Sequence, residues 1–384
     1  MSLSCELESS APQAAIPATP AAPSFNAFVH VAYGYDSLKW QKNWREGKIL
    51  GLNEEFPYGY HHAAEYGASV VYSKDHPETK LQKLVRYGFR GLFGFDFFHA
   101  WRNRREILQA DVVWTHTESQ SMAILLLFAL SKQPVKPKLI GQVVWLIDEW
   151  PRLNFFRKAI AKALLKKADI LTFLSPLNSW AALGLFPKTR IEFVKFGINT
   201  NYKALPRKAP PGKKIRVLSV GNDRHRDWPT LVEAVKDEGD IELRLLTSTY
   251  KLRGQHDNIS VIKVDSNEAL LAQFEWADML VLALEPNFHA SGITVIEEAV
   301  ILGLPIICTK VGGLDAYFQD EDILYIDASQ PGQIQDSILR LAEDDELRQS
   351  MIASAKHRMV EAQISSQGYA KHHVELSREL LNQA

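Results

Sequence analysis

The run 285–313, EPNFHASGITVIEEAVILGLPIICTKVGG, sets several groups with useful chemistry at close spacing. The preceding MLVLAL (279–284) reads as a strand. A small-residue loop follows, His289-Ala290-Ser291-Gly292, and a helix starts near Ile293 and carries Glu298 on its second turn. Gly303 and Pro305 stop that helix, and a second buried strand runs into Gly312-Gly313. Gly292 lets backbone N–H groups, that of Ile293 included, approach a phosphate, and the helix N-terminus adds partial positive charge. Ser291 and Thr294 add hydroxyl donors. Glu298 can accept from the two hydroxyls of a ribose. The pattern predicts a nucleoside diphosphate site. It calls for no metal, because the helix end and nearby cations can neutralise the diphosphate.

A second segment, 219–234 (SVGNDRHRDWPTLVEA), places a strand, Gly221, the cations Arg224 and Arg226, and a helix in that order. Together the two segments resemble the donor-binding region of glycosyltransferase family 4, the retaining enzymes of the GT-B fold. Glu298-Ala299 and Gly303-Leu304-Pro305 match the second half of the family's Glu, seven residues, Glu motif. The first acidic position falls on Ala290, so this is a variant with a His-Ala-Ser-Gly donor loop; His289 and Glu285 are the candidates to stand in for the lost carboxylate. The resemblance implies that Arg226 fills the family's lysine slot on the donor diphosphate, with Arg224 beside it and Gly221 behind. Asn222 occupies the family's arginine position. Arginine is a fork-shaped phosphate donor, so the swap keeps the chemistry.

The resemblance extends more weakly through the first half. The run 111–116 (DVVWTH) resembles the strand that places a histidine, here His116, in the cleft; a satisfied core histidine is the other reading. Residues 168–175 and 196–200 resemble the last strand of that half and its following turn. Gly34 and Gly59 are candidates for the loop beside acceptor and donor phosphate. Asp148, in WLIDEW, either caps a helix near Pro151 or contacts the acceptor. His61 and His62 look like a metal pair, but no third ligand sits at suitable spacing. The resemblance implies transfer of a sugar, UDP- or GDP-linked, to an acceptor hydroxyl with retention of configuration. His116, His289 and Arg226 are the catalytic candidates, and neither a cofactor nor a metal is expected. A nucleotide-sugar epimerase and a non-catalytic sugar-nucleotide-binding subunit are the alternatives. A nicotinamide dehydrogenase is disfavoured, since neither 220–223 nor 33–35 supplies G-x-G-x-x-G.

These groups need a scaffold, and the chain supplies one. Short β-rich runs at 28–35, 68–72, 111–115, 139–147 and 170–174 alternate with helix-like stretches. The pattern restarts at 215–220 and continues through 243–246, 259–264, 279–284, 305–309 and 323–326. Such alternation predicts an α/β fold of two Rossmann-like doubly wound domains facing across a cleft. The expected division is a disordered tail over 1–24, an N-terminal acceptor-binding domain over 25–204 and a linker over 205–214. A C-terminal nucleotide-sugar-binding domain follows over 215–365, and a helix over 366–384 crosses back to the first domain.

Across 384 residues the formal net charge is -1, which gives no footprint for nucleic acid. The two cysteines, Cys5 and Cys308, exclude a disulfide framework and fit a reducing, cytoplasmic setting. No run reaches the roughly 18 apolar residues of a membrane span. Two basic, aromatic segments, 80–105 and 152–167, suit an anionic membrane surface. They point to peripheral attachment at the inner face of the cell membrane and a glycan or lipid-linked acceptor, as in bacterial surface polysaccharide synthesis.

Overall fold

A computed structural model describes residues 24–203 and 214–382. The expected tail and linker, Ser24 and Lys214 apart, lie outside the described residues, as does Cys5. The first half forms strands β1 (Phe25–His30), β2 (Ala68–Tyr72), β3 (Val112–Thr115), β4 (Lys138–Val143), β5 (Ile170–Phe173) and β6 (Arg190–Phe193). The second forms β7 (Ile215–Val220), β8 (Ile241–Leu246), β9 (Ile259–Ile262), β10 (Met279–Leu282), β11 (Ile306–Thr309) and β12 (Leu324–Ile326).

Each half closes one six-stranded sheet, in the orders β2-β1-β3-β4-β5-β6 and β12-β11-β10-β7-β8-β9, and every pairing is parallel. Helices cover both faces, so the central strands are mainly apolar, and β3, β5, β10 and β11 are buried at every position. This is the doubly wound pair of domains that the sequence predicts.

Strand order reverses between β1 and β3 in one sheet and between β7 and β10 in the other. Ligands of such sheets bind outside the carboxyl ends of the strands at these switch points. The loops there carry Val31–Tyr35 after β1, His116 after β3, Gly221–Arg226 after β7 and His289–Gly292 after β10. The fold therefore brings the two donor segments, far apart in sequence, to one crevice.

The two sheets are tied together by buried polar contacts. Tyr317 Oη donates to the Leu174 carbonyl (2.7 Å) and accepts from the Phe196 amide (3.0 Å). The last helix, Ser366–Asn382, packs on the first half: Tyr369 and Tyr60 share a hydroxyl hydrogen bond of 2.8 Å, and Trp114 Nε1 donates to Ser377 Oγ at 2.9 Å. No helix of the described residues is long and apolar enough to cross a membrane.

Candidate functional site

Arg226 lies at the centre of the crevice. The chain leaves β7 through Gly221, whose φ is +148°, and the guanidinium folds back over it; a Cβ there would stand 2.3 Å from Nε. Nε donates to the Val220 carbonyl (3.0 Å) and Nη1 to Ser291 Oγ (2.8 Å). The residue is only 6% exposed, and among the described residues it forms no ion pair with a carboxylate. Burial pulls its pKa down, against the more distant charge of Asp223. A buried charge without a partner is costly, and an anionic ligand would relieve it.

The helix Ile293–Leu302 begins against this guanidinium. Gly292 precedes it at φ +88°, and a Cβ on it would reach 3.4 Å from Arg226 Nη1 and 3.2 Å from Leu282 Cδ1. The Ile293 amide already donates to the Ala290 carbonyl (3.1 Å), and that of Thr294, next in the first turn, has no acceptor within the helix. Ala290 is buried in the left-handed region at φ +55°, an arrangement worth about 1–3 kcal/mol of strain. Arg226, Ser291 and Gly292 thus meet at the start of the helix that Ile293 and Thr294 open. Arg224 does not join them, because it pairs with Glu149 across the crevice. Asn222, at the family's arginine position, turns away and accepts from Ser248 N and Thr247 Oγ1.

His289 sits between two carboxylates. Its Nδ1 is 2.7 Å from Asp148 Oδ2 and its Nε2 2.9 Å from Asp223 Oδ2. Burial opposes charge on the ring, but the hydrogen bonds to Asp148 and Asp223 outweigh it and hold the pKa up at about 8. Asp223 also accepts from Ser291 Oγ (2.7 Å) and from the His225 amide (3.0 Å), and its carboxyl lies far below the usual range despite burial. Asp148 caps no helix. It lies inside the short helix Leu146–Glu149 and accepts from Phe288 N at 3.0 Å, so its carboxylate reaches across to the second half.

The structure brings Asp223 and His225, which the sequence reading passes over, against His289. An Asp-x-His-Arg run one residue after a strand and its glycine is the signal that marks them. With His289 they place three metal-competent atoms within 4.8 Å of one another. Glu54, His61 and His62 make a second such group, in which folding supplies the third ligand that sequence spacing lacks. There His62 is already bonded to Glu54 (3.1 Å) and Glu65 (2.6 Å).

Glu298 is buried, and its Oε1 accepts from the Leu52 amide of the first half at 3.2 Å. Gly51 makes room, since a Cβ there would lie 2.2 Å from that oxygen. Burial raises the Glu298 pKa to about 7. Its neighbour Glu297 is 0% exposed, and neither carboxyl oxygen has a hydrogen-bond partner; the Ile198 amide lies near without completing one.

Across from the Arg226 crevice lies a cavity of about 370 Å³, lined by Tyr33, Tyr35, Tyr58, Arg90, His116, Glu118 and Trp145 among others. His116 stacks on Tyr58 with centroids 3.4 Å apart, and its Nδ1 is 3.2 Å from Tyr60 Oη. Burial, with His373 nearby, pushes its pKa down to about 3, so the ring is neutral at physiological pH. The Trp145 ring, 6.5 Å from that of His289, connects this cavity to the Arg226 crevice. Gly34 and Gly59 are not among its lining residues. The Gly34 amide donates to Asp75 (2.8 Å), and Gly59 faces Ser366, whose Cβ would be 2.5 Å from an added side chain.

The two basic segments meet on one surface. Arg157 donates to the Gly91 and Leu92 carbonyls, and the Phe93 and Phe156 rings lie 5.7 Å apart. Leu81 (69% exposed), Leu84 (68%), Leu92 and Phe155 (87%) point outward, beside the exposed Lys80, Lys83 and Arg90. Part of the expected face is turned inward: Arg86 and Arg102 pair with Glu78, and Leu164 is in the core.

Residues 202–358 match the family glycosyl transferases group 1. No curated protein matches the chain. Among solved structures, it is similar to sucrose-phosphate synthase from Thermosynechococcus elongatus, at 16% identity and TM-score 0.69, over 94% of this chain and 100% of that one. It is similar to Anabaena Alr3699/HepE, solved in complex with UDP-glucose, at 12% identity and TM-score 0.63, over 93% and 100%. It is also similar to a glycosyltransferase from Rickettsia africae ESF-5, at 14% identity and TM-score 0.63, over 94% and 100%. Together with the two parallel sheets, these likenesses establish the GT-B architecture.

Proposed function

From a group 1 glycosyl transferase match over 202–358 on a GT-B scaffold, we propose that this chain moves a sugar from a nucleoside-diphosphate sugar, UDP- or GDP-linked, to an acceptor hydroxyl. The observation that carries the reading is Arg226: a buried guanidinium without an ion-pair partner among the described residues, set against the start of a helix. A diphosphate supplies the missing negative charge there, and the Thr294 amide at the start of the helix adds a donor, while the Ser291 hydroxyl, whose proton goes to Asp223, holds the guanidinium in place. Glu298, five residues into the helix, takes the ribose hydroxyls. The Anabaena neighbour's complex with UDP-glucose favours a uridine donor.

The acceptor enters the aromatic cavity of the first half, where Tyr58 and Trp145 offer faces to a sugar ring and neutral His116 a hydrogen-bonding edge. The reaction retains anomeric configuration by a front-face route. The leaving diphosphate helps to take the acceptor proton, so catalysis rests on positioning and on electrostatic stabilisation of the leaving group. The outward face of Leu81, Leu84, Leu92 and Phe155, with its lysines and Arg90, holds the protein on an anionic membrane and supports a lipid-linked acceptor in surface polysaccharide synthesis.

A calorimetric panel of UDP, GDP and ADP tests the donor reading. One nucleoside diphosphate binds the wild type, and Arg226→Met loses roughly 100-fold or more, as the loss of two charge-assisted hydrogen bonds implies. No binding by any of them refutes the reading. For the membrane, Leu84→Glu with Phe155→Glu abolishes co-sedimentation with phosphatidylglycerol vesicles; a wild type that ignores such vesicles at low salt removes that part.

A further inference from the structure

Two imidazoles and two carboxylates crowd the donor seat in an arrangement that the sugar transfer alone does not require. His289 Nδ1 points at Asp148 Oδ2 (2.7 Å), which leaves Nε2 facing Asp223 Oδ2 at 2.9 Å. His225 Nδ1 faces the other oxygen of the same carboxylate at 3.2 Å. Two ring nitrogens thus converge on one carboxylate, and a cation must stand between each lone pair and the anion: a proton on the ring, or a metal ion shared by all three.

The placement sharpens that choice. Asp223 is one hydroxyl, Ser291 Oγ, away from Arg226. A diphosphate bound there meets the Asp223 carboxylate as a neighbouring anion, with Asp148 just behind. A divalent ion on Asp223 reverses the sign of the local field and turns a repulsive neighbour into a favourable one.

We propose that Asp223, His225 and His289 form a binding site for a divalent ion of the zinc class. Two imidazole nitrogens and a carboxylate oxygen are the ligand types of open zinc sites, which keep a fourth position for a non-protein ligand. A tetrahedron with bonds of about 2.0–2.1 Å has edges of about 3.3 Å; His289 Nε2 lies 2.9 Å from one Asp223 oxygen and His225 Nδ1 3.2 Å from the other, so each nitrogen sits near coordinating separation from an oxygen of the one carboxylate. The three ligand atoms are mutually within 4.8 Å. The fit extends outward: Asp148 holds the His289 Nδ1–H, the carboxylate–histidine–metal arrangement that fixes the tautomer and aims Nε2 at the ion. Asp148 belongs to the first half and the other three to the second, so the ion joins the two sides of the crevice. Ser291 Oγ lies 2.7 Å from Asp223 Oδ2 beside the site, and the fourth position accepts a phosphate oxygen of the donor. The site itself stands without the donor reading; that last role rests on it.

The test uses the full-length protein, stripped with chelator, and cobalt(II) or zinc(II) alone. Cobalt binds one ion per chain with a visible ligand-field band, and zinc competes it away. His225→Ala and His289→Ala each abolish the band, with the fold checked by circular dichroism. Asp148→Asn keeps the site but weakens it about 10- to 100-fold, the effect of losing an outer partner. His62→Ala leaves binding unchanged. No stoichiometric band, or one that survives both His225→Ala and His289→Ala or follows His62, overturns the proposal. Titration of UDP and GDP in chelator reads the donor seat separately. Nucleotide binding without cobalt binding sinks the metal site and leaves the transferase reading in place; cobalt binding with no nucleotide bound under either condition does the reverse.

Discussion

Replacing Glu297 by leucine should make the protein more stable, with a pH signature. The carboxyl is fully buried, both oxygens lack partners, and burial next to Glu298 raises its pKa well above the usual range. Burial thus favours its neutral form in the folded protein. A buried polar group left unsatisfied costs about 1–3 kcal/mol. Leucine, of similar size, removes that cost, so Glu297→Leu gains about 1–3 kcal/mol at pH 7, or about 2–4 °C in Tm per kcal/mol for a domain of this size. The sign with pH follows from linkage. The folded state binds the proton more tightly than the unfolded chain, so the wild type is least penalised below the ordinary value of 4.5 and loses stability as pH rises toward the raised folded value. The advantage of the leucine variant therefore widens as pH rises from about 4.5 toward the raised folded value. Glu297→Gln, which cannot ionise but keeps its unmet polar atoms, flattens the pH slope with a smaller gain. Thermal unfolding of the three proteins across that range is the assay. A leucine variant less stable than wild type at pH 7, or an advantage that does not change with pH, refutes the reasoning.

Glu298→Ala should weaken nucleoside diphosphate binding roughly 10- to 100-fold, the loss of hydrogen bonds to a carboxylate, in a protein that stays folded; equal Kd values by calorimetry remove the ribose role. Gly292→Ala forces a side chain into φ +88° against Leu282 and Arg226, costing about 1–3 kcal/mol, and its nucleotide affinity should fall with its Tm. Trp145→Ala should raise KM for acceptor and leave donor Kd unchanged, because Trp145 lines the cavity of the first half; a changed donor Kd alone contradicts that division.

The architecture was legible because parallel strands buried on both faces are continuous apolar runs, as in VVWT of β3 and IICT of β11. β6 escapes such a reading: RIEF has charges at alternate positions and is only half-buried at the sheet edge. β4 stops at Val143, short of the apolar run, because Trp145 opens the short helix that carries Asp148. Arg226, Ser291 and Gly292 could be singled out because each follows a strand at a glycine turn. The contacts of Asp148 with His289, and of Leu52 with Glu298, span 141 and 246 positions of chain. No local pattern encodes pairings at that range. Gly59 shows the converse, since its turn chemistry is visible in sequence but its reason, the close approach of Ser366, is not.

The central claim is that Arg226 and the start of the helix Ile293–Leu302 hold a diphosphate. A crystal structure with the nucleoside diphosphate that binds most tightly tests it directly. The account predicts the two phosphates within hydrogen-bond distance of the Arg226 guanidinium and the Thr294 amide, with the ribose at Glu298. A nucleotide ordered elsewhere, with Arg226 still bonded only to Val220 and Ser291, would contradict it.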